Sequence, residues 1–210
     1  MGTLKLTEPY YLQSKIQYER SVRHFYDEMK FNKLSKNNIE FAKFTVDALL
    51  DNRNFWFYSY TLDKEGEYFK GKFSADPWQA YEDISCTLID QATSPNEILI
   101  LIADHITVPK HVRFEVSLKR RINTKKNRLA VAGVCRFDSK GNDLLQVVDL
   151  LIGIVNYDLK MQYGLTPKPS PYKKELVEHF KKQIGLASFC DGFRNRSFNI
   201  FVDKDSKKRK

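Results

Sequence analysis

The sequence predicts an α/β fold with a mostly parallel central sheet covered on both faces by helices. Three observations predict it. Short β-prone runs alternate with longer amphipathic stretches, the order that builds strand–helix–strand units. One of those runs, Glu97-Ile-Leu-Ile-Leu-Ile-Ala103, is continuously apolar, as a strand covered on both faces would be. The chain has 210 residues, 42% hydrophobic and 29% charged, enough for one domain with a substantial core.

Taken in order, residues 11–29 are charged and amphipathic and predict a first helix. Ser35-Lys-Asn-Asn-Ile39 supplies an N-cap for a second helix to about Leu50, with Ile39, Phe41, Phe44, Val46, Leu49 and Leu50 as its apolar positions. Phe55-Trp-Phe-Tyr-Ser-Tyr-Thr-Leu62 is aromatic and predicts a strand. Asp76-Pro77 opens a helix to about Gln91, with Asp as N-cap and Pro in the first turn. Ser94-Pro-Asn96 is a turn before the apolar strand. A helix after Pro109 runs through Arg121, and residues 129–137 form another strand. Ser139-Lys-Gly-Asn142 is a loop, followed by a helix beginning near Asn142 or Asp143. Thr166-Pro-Lys-Pro-Ser-Pro171 breaks the chain before a basic helix and a closing strand, residues 197–202. The reading is one domain over residues 1–203 and a basic, disordered tail over 204–210.

No apolar run reaches the length of a membrane span, and the N-terminus lacks a signal pattern, so the expectation is a cytoplasmic protein with no membrane partner. Cys86, Cys135 and Cys190 lie far apart and are odd in number, which predicts reduced thiols rather than disulfides or zinc ligands. The net charge is +9. Its excess gathers in residues 119–128, in the pairs Lys173-Lys174 and Lys181-Lys182, and in the tail 207–210. That balance suits a polyanionic partner such as DNA or RNA, with Lys119, Arg120, Arg121, Lys125, Lys126 and Arg128 as candidate contacts.

Asp149 stands out because it lies inside the apolar run 144–155. Asp143, Gln146, Asp149, Gly153 and Asn156 follow steps of three and four and so share one helix face. A buried carboxylate needs a cation, a metal or a set of donors. Asp149 is therefore either a metal ligand or an acceptor for a neighbouring element, and Gly153 would let backbone or ligand approach closely. Asp104 ends the apolar strand, at the sheet edge where α/β proteins bind ligands; its plainer reading is a turn residue. Two or three carboxylates brought together repel unless a cation binds, and oxygen-only ligation suits Mg²⁺ or Mn²⁺.

These residues carry a family resemblance. Glu28-Met-Lys-Phe31 with the following Leu34-Ser35 resembles the "ExKW…LS" segment of the DUF3800 family. The strand ending at Asp104, the segment Asp138-Ser-Lys-Gly-Asn-Asp-Leu-Leu-Gln-Val-Val-Asp-Leu-Leu-Ile-Gly153, which is similar to "dS…LLQxADLLxG", and the closing strand follow in the same order. The resemblance implies a ribonuclease-H-like mixed sheet flanked by helices and a metal-dependent nuclease activity. It places Glu28, Asp104 and Asp149 as ligands of Mg²⁺ or Mn²⁺, Lys30 as the motif lysine, and Ser139 and Gln146 as supporting residues. The family's opening "DESG" strand is absent from the sequence, and Phe31 stands where the family has Trp. The expectation is thus an N-terminally shortened domain without its first acidic ligand. It would be a nuclease, inactive if that ligand is indispensable, or else a non-catalytic binder of nucleic acid or of a partner. Loss of a central strand would leave two unpaired edges.

Overall fold

The structure is a computed structural model and describes residues 1–105, 113–203 and 205. In chain order the elements are β1 (Gly2–Leu6), α1 (Pro9–Arg23), α2 (Ile39–Leu50), β2 (Phe55–Thr61), α3 (Glu67–Phe73), α4 (Pro77–Ala92), β3 (Leu99–Asp104), α5 (Phe114–Lys126), β4 (Val131–Phe137), α6 (Asp143–Gln162), α7 (Pro171–Ile184), β5 (Phe193–Arg194) and β6 (Phe198–Val202). Single 3-10 turns cover Phe31–Lys33 and Ser139–Gly141. The class is α/β.

The strands form two sheets rather than one central parallel sheet. The larger is mixed, in the order β1-β2-β6-β5; the smaller is a parallel pair, β3-β4. In the first, β1 runs antiparallel to β2 with Leu4 opposite Phe57, while β2 runs parallel to β6 with Ser59 opposite Ile200. In the second, Ile102 lies opposite Cys135. The main core lies between the four-stranded sheet and α1, α2, α6 and α7, and it holds Phe41, Phe57, Phe180 and Phe189 essentially without exposure. A second core packs α4 and α5 against β3-β4 around Phe114, Leu118 and Ile122.

Several expectations are corrected. Gly2–Leu6 is a strand that the sequence reading leaves unassigned; Leu4 and Leu6 alternate with Lys5 at the β period. The first helix ends at Arg23 rather than Met29. His24 takes a left-handed conformation, φ 52°, and Arg20 folds back to accept the chain reversal, donating to the carbonyls of Phe25 and Asp27. Strand β3 is covered on one face only. Leu99 and Leu101 turn to α4 and α5, but Ile98, Ile100 and Ile102 are 61%, 73% and 47% exposed. An all-apolar run cannot reveal which of its two rows lacks a cover. The helix after Pro109 begins at Phe114 within the described residues; residues 106–112 lie outside them. Past β6, the Asp205 carboxylate accepts from the Tyr68 amide at 2.6 Å, at the start of α3. The other tail residues lie outside the described set. Among the described residues, no helix is long and apolar enough to cross a membrane.

Candidate acidic centre

Helix α6 organises the site. Asn142 caps it, its side chain accepting from the Leu145 amide at 3.1 Å, and Asp143 suits the positive end of the helix dipole. The apolar residues Val147, Leu150, Leu151, Ile154 and Val155 seat one side in the main core. The polar row on the other side is a docking track. Asp143 pairs with Arg20 at 2.8 Å. Gln146 Oε1 accepts from the Met29 amide at 2.8 Å and from Arg20 at 2.7 Å, while its Nε2 donates to the Ser139 carbonyl at 2.7 Å. Asp149 Oδ2 accepts from the Phe31 amide at 2.8 Å. Gly153 carries the Phe31 ring, and Asn156 accepts from Thr61 at 3.2 Å. The segment from Glu28 to Phe31 is thereby laid along α6, one backbone amide per helical turn.

This track places Glu28. Its side chain is 7% exposed, and its Oε1 accepts from Ser139 Oγ at 2.9 Å and pairs with Lys30 at 2.9 Å; Lys33 stands 3.7 Å from Oε2. Burial pushes the Glu28 carboxyl up, but the hydrogen bonds from Lys30 and Ser139 and the two lysine charges outweigh it and hold the group below the usual carboxylate range. Lys30 is held above the usual lysine range by its hydrogen bond to Glu28, with further attraction from Asp104 and Asp149. Its ammonium pairs directly with Glu28 and feels Asp104 and Asp149 only as nearby charge.

Asp104 and Asp149 line one cleft of about 590 Å³, between β1 and β3 and over α6. Asp104 is exposed, with Oδ1 accepting from the His105 amide at 2.8 Å. Asp149 is half-buried, less enclosed than its apolar neighbours suggest, because its face of α6 meets the cleft rather than the core. Glu28 lies outside the cleft lining. Among the described residues, no three His, Cys, Asp or Glu side chains gather closely enough to hold a metal ion. Ser139 bonds the Glu28 carboxylate and Gln146 bonds the backbone beside it.

The basic stretch is largely committed inside the fold. Lys119 donates to the Ala132 carbonyl at 2.7 Å, Arg121 pairs with Glu82 and Asp83, and Lys125 and Lys126 both pair with Asp90 at 2.8 Å. Arg128 donates to the Glu97 and Ser94 carbonyls. Arg120 is exposed and has no partner among the described residues. The run therefore is not the free basic face that its composition suggests. Sequence reasoning also missed the most buried ion pair, Asp158 with Lys181 at 2.9 Å, where Asp158 is fully enclosed. Its signal was present: Asp158 falls three and four residues after the core positions Val155 and Ile154, on the apolar face itself.

No protein-family model, no curated protein and no solved structure matches this chain.

Proposed function

We propose that the chain carries the acidic centre of a ribonuclease-H-like phosphodiesterase of DUF3800 type, with nucleic acid as substrate and Mg²⁺ or Mn²⁺ as cofactor. One observation supports this reading above the others: Asp104, from the end of a strand, and Asp149, from a later helix, come to the same cleft. The donors are all carboxylate oxygens, which fit a hard divalent ion in kind. Glu28, Asp104 and Asp149 would hold it, and it would supply positive charge at a scissile phosphate and acidify a bound water. The chain's own residues do the rest. Ser139 and Lys33 fix the Glu28 carboxylate, the Phe31 amide orients Asp149, and Lys30 offers a point charge to a phosphate oxygen. The three acids are not gathered into one cluster among the described residues, so the activity expected of residues 1–210 is low.

Mn²⁺ titration by calorimetry tests the proposal, alongside cleavage of labelled DNA and RNA. Asp104→Asn and Asp149→Asn should each weaken Mn²⁺ binding at least tenfold. Binding that neither substitution changes would overturn the reading. A second reading, a non-catalytic binder of nucleic acid or of a partner chain, is favoured by the Lys30–Glu28 pair, since that ammonium already neutralises a carboxylate the ion would need.

A further inference from the structure

The cleft has an unusual wall. Every residue from Met1 to Leu6 lines it on one side, and every residue from Ile98 to Asp104 lines it on the other. Side chains of a strand alternate between faces, so a cavity lying over a sheet's face touches every second residue. A cavity that touches consecutive residues runs along the strand's edge. Both walls are edges among the described residues: there β1 pairs with β2 alone and β3 with β4 alone. Above and below, the cleft is bounded by apolar helix surface, with Leu145, Val148 and Ile152 on α6 and Tyr81, Ile89 and Leu118 on α4 and α5. Helices cover the faces of an α/β sheet in this way, but here no strand lies between them among the described residues. Among the described residues the two edges are joined across the gap not by a backbone ladder but by the Lys5 side chain, which pairs with Glu97 at 2.6 Å and donates to the Ala92 carbonyl at 3.0 Å, at the end of the cleft remote from Asp104.

We infer that the cleft between β1 and β3 is a receptor for an extended segment of another polypeptide, which inserts as a strand and joins the two sheets into one. The hydrogen-bonding pattern selects the class of occupant. Two facing strand edges present rows of amides and carbonyls at the β repeat, and only an extended backbone answers both at once. The flanking helices ask for apolar side chains on both faces of the incoming strand. The exposed row Ile98, Ile100 and Ile102 gains a neighbour at the same time. Charge sets the orientation: Asp104 and Asp149 stand at one end of the cleft, so the incoming strand carries a Lys or Arg at that end.

The test uses the whole chain in EDTA, so that its outcome is independent of the metal centre proposed above. A panel of eight-residue peptides of Val, Ile and Thr, tipped with Lys or with Glu, is titrated by fluorescence anisotropy, and amide hydrogen exchange is followed in the protein. The expected result is slowed exchange in both Gly2–Leu6 and Leu99–Asp104 on binding of a Lys-tipped peptide. N-methylation of alternate peptide amides should weaken binding at least tenfold, because it removes ladder donors while keeping the side chains. Asp104→Asn with Asp149→Asn should reduce the preference for the Lys tip over the Glu tip. Protection of one strand alone, or equal binding of the N-methylated peptide, would overturn the inference in favour of an ordinary apolar groove. Protection of both strands that grows with protein concentration without peptide would overturn it in favour of self-pairing.

Discussion

The ring of Phe31 lies across Gly153 so closely that a Cβ at that glycine would stand 2.1 Å from Phe31 Cγ. The contact continues one turn back, where the Phe31 amide donates to Asp149. Together they fix the approach of the Glu28–Phe31 segment to α6, and so the positions of Glu28 and Lys30. Gly153→Ala gains helix propensity but overpacks the contact, and overpacking costs about 1–3 kcal/mol. The variant should lose that much stability in urea unfolding. The loss should be smaller in a Phe31→Ala background, because Phe31 Cγ, the nearest atom to the added methyl, is then absent. A Gly153→Ala protein as stable as the parent would show that Phe31 moves aside freely.

Asp149 serves two elements, and its substitutions separate the two services. Asparagine keeps an oxygen acceptor for the Phe31 amide, so Asp149→Asn in EDTA should change stability by less than about 1 kcal/mol. Asp149→Leu leaves that amide unpaired and should cost about 1–3 kcal/mol. Thermal unfolding of both variants checks the order. A large loss in Asp149→Asn would mean that the negative charge itself, beside Lys30, supports the fold.

The Glu28–Lys30 pair predicts the pH dependence at both ends. The folded Glu28 carboxyl titrates below its unfolded value, so its contribution is present above that unfolded value, near pH 4.5, and is lost as pH falls through the depressed folded value. The folded Lys30 amine titrates above its unfolded value, so its contribution is present below about pH 10.5 and is lost as pH rises through the elevated folded value. Urea midpoints from pH 3 to 7 should fall more steeply in the parent than in Glu28→Gln on the acid side. Parallel curves would place the acid sensitivity elsewhere, with Glu97 and Asp90 as the next candidates, since both are also held low by lysines.

Much of this was legible in residue order. The aromatic run 55–62, the Asp76-Pro77 start of α4 and the onset of α6 needed only local chemistry, and the structure has them at or within a residue or two of the expected places. The polar row on α6 was legible too, because a row is a one-helix property. What the row meets was not. Gln146 and Asp149 receive amides from residues more than a hundred positions earlier, and no spacing rule reports such a pairing. The division into two sheets was hidden for the same reason, since β propensity identifies strands but not their neighbours. Asp149 was singled out as the buried acid on the strength of apolar neighbours in sequence. Asp158 is the enclosed one, because the face of α6 toward α7 is the deeper face.

The basic run predicts a shallow salt dependence. Six free contacts from Lys119 through Arg128 would give a slope of log affinity against log salt of about −5 on duplex DNA. Most of those side chains are engaged with Glu82, Asp83, Asp90 or backbone carbonyls, leaving Arg120 to meet a phosphate without breaking a bond. The slope contributed by this helix should therefore be near −1, and Arg120→Ala should remove it while Lys125→Ala leaves it nearly unchanged. Anisotropy titrations of a labelled duplex at several salt concentrations measure both. A steep slope that survives Arg120→Ala would locate the nucleic-acid surface away from α5.

The Asp158–Lys181 pair is the strongest stability prediction. Asp158 accepts from Lys181 at 2.9 Å and from the Phe189 amide at 2.8 Å, and Lys181 also donates to the Ala187 carbonyl at 3.0 Å. One enclosed pair thus ties α6, α7 and the loop before β5. Burial alone would lower the Lys181 amine, but its hydrogen bonds to Asp158 and Glu178 outweigh that and hold it high. Removing one partner strands the other charge in the core, which costs about 3–5 kcal/mol. Lys181→Met and Asp158→Leu should each unfold at markedly lower urea. The double variant should be less destabilised than the sum of the two, since it leaves no unpaired charge, although the Phe189 amide still loses its acceptor. Additive losses in that double-mutant cycle would show that the two residues act through separate contacts rather than as a pair.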